Sequence, residues 1–233
     1  RIRRDRHQIC SDRAEHRGSK RPTVGGVAIM PMFPLGSVLL PGGVLPLHVF
    51  EPRYRQMVID CLQGDGTPEF GQALITHGSE AGGGDERAMI GTAAQMVQIE
   101  ALDEERYAIV AVGIRRITIN AWLPDDPYPL ADVDDYPDVD PDSTDLAVDV
   151  AATHGRVRAA LALAQELGDV NVEMDDTEIA DDFLVATYHL SSLAPIGPAD
   201  RYRLLAVPGP RERLDVLDSV LDDVEAMLKF RLA

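Results

Sequence analysis

The chain has 233 residues, 45% hydrophobic and 26% charged, the balance of a soluble globular protein able to bury a core in one or two domains. Its formal charge of −17 is split: residues 1–23 carry a net +5, which leaves about −22 on the rest, and so acidic a body repels a phosphate backbone. Two cysteines, Cys10 and Cys61, exclude a disulfide framework and a thiolate metal site, and no apolar run reaches the length of a membrane span, so a reduced cytoplasmic setting is expected.

Residues 1–23 lack the apolar stretch of a secretory signal and read as a disordered basic leader, with an arginine-rich contact arm as the alternative. Residues 24–137 then alternate short apolar runs with Pro and Gly. Ala28–Phe33 and Ser37–Leu40 read as strands, and Val44–Phe50 is apolar enough to read as a strand buried on both faces. Prolines at this density suit strand starts and barrel corners better than central ladders. Pro52 opens a helix, because its missing N–H costs nothing in the first turn. Tyr54, Met57, Val58, Cys61 and Leu62 follow at the spacing of one apolar stripe, and Gly64 and Gly66 end it. Cys61 in that stripe reads as a small buried hydrophobe.

Further strands are expected at Phe70–His77, Met89–Ala101, Arg106–Val112, Ile114–Leu123 and Ala131–Tyr136, with a bend or bulge at Gly113. The glycines of the His77–Arg87 loop precede Asp85 and Glu86 rather than Lys-Ser, so the loop is expected to be mobile and not a phosphate cradle. Short strands with a single early helix predict a small closed or nearly closed β-barrel. Residues 138–149 form an acidic linker. Asp138, Asp140 and Asp142 imitate the start of a calcium loop, but Pro141 interrupts it, Ser143 stands where glycine is needed, and Asp149 replaces the bidentate Glu. From 150 to 233 the apolar period becomes helical, clearest in Leu214, Leu217, Leu221, Val224 and Leu228 after Pro210. A helical bundle follows, with a short helix within Ile196–Val207.

The run PMFPLGSVLLPGGVLPLHVFEPRYRQMVIDCL, followed in order by IGTAAQM, RYAIVAVGIRRITI and DDPYPLADV, resembles the amino-terminal substrate-binding domain of Lon proteases, most of all the bacterial proteins consisting of that domain alone. The resemblance implies an α+β fold, a PUA-like small β-barrel with one early inserted helix, followed by a C-terminal α-helical bundle. It also implies binding of peptide or unfolded polypeptide, joint action with a protease or chaperone, and a contact region at Phe50, Glu51, Pro52, Arg53 and Tyr54. An aromatic pair would supply apolar area there, with Glu51 and Arg53 selecting at the rim. Each of these residues also has a plain scaffold role.

Lon's enzymatic parts have no counterpart in the residues. The two lysines, Lys20 and Lys229, stand in no dyad context, and GxxxxGK[ST], GxSxG and HExxH are all missing. His48, inside LPLHV, reads as a buried hydrogen-bonded histidine. The expectation is therefore a binding module without catalytic residues, cofactor or metal. Its rivals are an RNA-binding PUA-like module, disfavoured by the acidic body, and a small-molecule-sensing regulatory domain.

Overall fold

In the structure, a computed structural model describing residues 23, 24, 27–64, 66–78, 84–102, 106–142, 145–169 and 179–232, the proline-rich opening forms one strand rather than two. The strands are β1 Thr23–Val24, β2 Val27–Leu35, β3 Val44–Val49, β4 Glu69–His77, β5 Glu86–Ala101, β6 Tyr107–Leu123 and β7 Leu130–Asp135, with α1 Pro52–Gln63 between β3 and β4. Pairing runs from β2 to β4 in parallel, then β4 to β5, β5 to β6 and β6 to β7 antiparallel, and from β7 back to β2. β1 adds to β2, and β3 adds to β6 outside that ring. The basic leader, apart from Thr23, and the middle of the glycine loop lie outside the described residues.

Both prolines of β2 sit where a neighbour is missing. The Met32 N–H donates to Pro129 O at the β7 side, so even-numbered N–H groups face β7 and odd ones face β4. β7 pairs only with Ile29–Pro31 and β4 only with Met32–Leu35. The absent N–H of Pro34 thus points past the end of the β7 ladder, and that of Pro31 points short of the β4 ladder.

The strand expected at Ser37–Leu40 is irregular. Two buried side chains replace its ladder: Leu39 N–H donates to Gln72 Oε1 at 2.9 Å, Gln72 Nε2 donates to Ser37 O at 2.7 Å, and Thr92 Oγ1 donates to Leu39 O at 2.6 Å. The backbone is satisfied without a strand while Val38, Leu39 and Leu40 are all buried. The bend or bulge expected at Gly113 is a bulge, between the pairs Ala93–Arg115 and Ala94–Gly113, and the two strands expected on either side of it are one long strand. There β6 exchanges one neighbour, β3, for another, β7. A Cβ at Gly113 would lie 2.5 Å from Leu40 O, so the loop can cross only over a glycine.

Four helices follow: α2 Ala147–Glu166, α3 Phe183–Leu193, α4 Pro198–Ala206 and α5 Pro210–Leu232. The expected stripe of α5 is buried throughout, against Val157 and Leu161 of α2 and Leu190 of α3. Among the described residues no helix is long and apolar enough to cross a membrane.

The helices dock on the sheet, a point the sequence left open. Val38, Leu40, Leu74 and Ala88 meet Tyr188 and Leu205 in one apolar cluster. Beside it Asp138, expected in a solvated linker, is nearly sealed. Its carboxylate accepts from Arg213 Nη2 at 2.6 Å and from the Tyr188 hydroxyl at 2.6 Å, and lies 3.1 Å from Arg116 Nη2. Arg116 also donates to the carbonyls of Leu205, Val207 and Pro208. Burial pushes the Tyr188 hydroxyl above the ordinary tyrosine range and the Arg116 guanidinium below the ordinary arginine range. The linker reading fails here because two buried guanidiniums need a carboxylate, and Asp138 is the one they share.

Candidate functional site

The expected contact region is the corner between β3 and α1. Glu51 is extended and Pro52 takes the first helical turn, so the chain bends sharply and throws neighbouring side chains to opposite sides. Phe50 is 65% exposed, whereas Tyr54 is 3% exposed. The aromatic pair is therefore split: Tyr54 stacks on Phe33 with ring centres 4.0 Å apart at 10°, and Phe33 meets Phe70 at 6.1 Å. Tyr54 belongs to the core, and of the two rings Phe50 is the exposed one.

Arg53 joins the two layers. Its Nε donates to Glu51 Oε2 at 3.0 Å, and its guanidinium carbon lies 4.5 Å from the Tyr54 ring centre. Burial pushes the Tyr54 hydroxyl from 10.0 up to about 12, opposed by the nearby Arg53 charge. Beside the corner a cleft of about 200 Å³ is lined by Phe33–Leu35, by Pro46–Glu51 and by Tyr54. It is smaller than the roughly 300–1,000 Å³ of ordinary small-molecule sites and suits one inserted side chain.

Two expectations about this region are corrected. β3 is not buried on both faces: Leu47 and Val49 are buried, while Val44, Pro46, His48 and Phe50 face solvent. β3 lies outside the ring on β6, so nothing among the described residues covers its outer face. His48 is accordingly exposed rather than a core histidine. In α1, Tyr54, Met57 and Val58 are buried as the stripe requires, but Leu62 is 50% exposed at the helix end.

Cys61 is half-buried, and its thiol donates to Glu69 O at 3.4 Å. Burial, with the nearby Asp60 charge, pushes the thiol from 9.0 up to about 12. In the folded chain the neutral thiol is favoured, so the folded state holds a proton that the unfolded state releases above pH 9. That contribution to stability is complete below pH 9 and lost as pH rises towards 12. Cys61→Ala is therefore expected to flatten part of the alkaline fall in stability, measured as urea midpoints from pH 8.5 to 11. An unchanged slope would contradict this assignment.

The fold defined by these elements is that of Lon amino-terminal domains. A Lon N-terminal domain protein from Xanthomonas campestris superposes with a TM-score of 0.60 at 24% identity, over 83% of this chain and 98% of that one. The N-terminal domain of a Mycobacterium avium complex Lon protease gives 0.62 at 18% identity, over 84% and 98%. The chain belongs to the family of ATP-dependent protease La (LON) substrate-binding domains, whose pattern matches residues 29–223. Among curated relatives, Lon protease of Cytophaga hutchinsonii is 26% identical over 88% of this chain, and Lon protease 2 of Myxococcus xanthus 30% identical over 46%. The chain spans only 25% and 13% of those two proteins.

Proposed function

We propose that the chain is a binding module without enzymatic activity, in which the Phe50–Tyr54 corner and its cleft hold apolar segments of extended or unfolded polypeptide. In this reading residues 24–137 are a PUA-like barrel that forms the grip, the segment 138–149 is the joint, and residues 150–233 are a helical bundle that braces it. Acting as an adaptor or regulator of proteolysis fits such a grip. Family membership supports a substrate-binding role. The observation that carries the reading is the largely apolar row Val44, Pro46, His48 and Phe50 along the outer face of β3, ending at the cleft, with Val44 64% and Phe50 65% exposed. Folding does not explain that row, since none of its members contributes to the core.

Phe50→Asp tests the reading directly. Affinity for a fluorescently labelled, reduced and carboxymethylated protein is expected to fall by about tenfold or more. Stability should change by no more than about 0.5 kcal/mol, because the side chain is exposed. Undiminished binding in a normally folded variant would refute the assignment of this corner.

A further inference from the structure

A second cavity, of about 490 Å³, lies in the seam between sheet and helices and shares no lining residue with the β3–α1 cleft. Ile114, Pro137, Pro141, Leu184 and Val185 give it apolar walls, and Arg116, Tyr136, Asp138 and Tyr188 form its polar side. The volume lies within the roughly 300–1,000 Å³ of small-molecule sites, and a mostly apolar lining with a few convergent polar groups is their usual make-up. At the polar side two guanidiniums, Arg116 and Arg213, with side chains 1% and 0% exposed, share the carboxylate of Asp138. The other lining carboxylate, Asp135, is 59% exposed and bound by Arg115 at 2.9 Å. The Nη groups of Arg116 are engaged by carbonyls and by Asp138, but its Nε–H is buried with no hydrogen-bond partner.

A buried, unpaired charged donor beside an apolar hollow is matched by a ligand that brings one anionic acceptor on an apolar body. We propose that this cavity binds an apolar monocarboxylate, whose carboxylate accepts from Arg116 Nε–H while its body lies against Leu184, Val185 and Tyr188. Reaching the donor requires a tilt of the Tyr136 ring, which covers the guanidinium at 4.3 Å and is tied by a long 3.2 Å bond to Ala206 O. A dianion is disfavoured, because one spare donor faces it. The same chemistry is offered by a free aromatic or fatty acid and by the C-terminal carboxylate of a polypeptide ending in an apolar residue.

The test uses the full chain and the Arg116 Nε–H resonance, with 4-phenylbutyrate and its amide, and N-acetyl-Ala-Phe and its C-terminal amide, as probes. At least one acid is expected to shift that resonance saturably, with its amide binding at least tenfold more weakly. Stronger binding by the dipeptide acid assigns the site to chain termini, and stronger binding by phenylbutyrate assigns it to free acids. Arg116 variants would weaken the seam itself, so Val185→Trp, which fills the hollow from an exposed position on α3, is the control. It should abolish binding without lowering Tm. Absence of a saturable shift, equal binding of acid and amide, or undiminished binding in V185W would each overturn the proposal.

Discussion

Asp138→Ala is expected to cost about 3–5 kcal/mol of stability, the range for breaking a buried ion pair by removing one partner. The reason lies in what stays behind. Arg213 is wholly buried, with its guanidinium 3.8 Å from the Tyr188 ring centre and bonded to Leu204 O and Thr187 Oγ1. Arg116 is sealed by carbonyls of the α4–α5 turn. Both side chains are almost wholly shielded from solvent, so removing the shared carboxylate leaves two charges that only neighbouring dipoles compensate. The Tyr188 hydroxyl loses its acceptor as well. Urea unfolding should show a lower midpoint with an unchanged slope. Adding Arg213→Met to Asp138→Ala should recover part of the loss, because one buried charge is then gone. A cost below about 1 kcal/mol for Asp138→Ala would mean that the carbonyls alone hold both arginines.

Phe70→Ala is expected to cost a similar amount, about 3–5 kcal/mol, by emptying the centre of the cluster beneath the β3–α1 corner. Phe70 is fully buried on β4 and tilts against Phe33, which in turn stacks on Tyr54. Close-packed rings do not collapse fully into such a void, so the loss combines transfer and cavity terms. The loosening should run through Phe33 to Tyr54, weakening near-ultraviolet tyrosine signals and reducing polypeptide binding at Phe50, though Phe70 itself touches no ligand. Full retention of binding at the parental midpoint would show that the corner holds its shape without that ring.

The corner was legible in the sequence because its signals are local. Proline at the first helical turn, a stripe at offsets of three and four, and a glycine stop act within a dozen residues, and α1 spans Pro52–Gln63 as they require. The exposure of β3 was not legible. An apolar run such as VLPLHVF has no alternation to mark its solvent face, and β3's place outside the strand ring depends on pairing with β6 about sixty residues away. The irregular course of Ser37–Leu40 is hidden for a related reason: its backbone partners are side chains on β4 and β5, which no local pattern announces. The seam was hidden most deeply. Asp138 sits among prolines and other aspartates that look solvated, and its partner Arg213 is 75 residues further on.

The pairing of β2 with β7 has a bearing on how the chain is made. Ile29–Pro31 waits for Leu130–Asp132, roughly a hundred residues later, before it is paired. A ribosome-bound intermediate therefore carries an open, apolar strand margin for most of the time needed to synthesise the sheet. Closure by the last strand to emerge makes this a non-local, slow-folding topology, most exposed to mispairing with other nascent chains just before residue 130 leaves the exit tunnel.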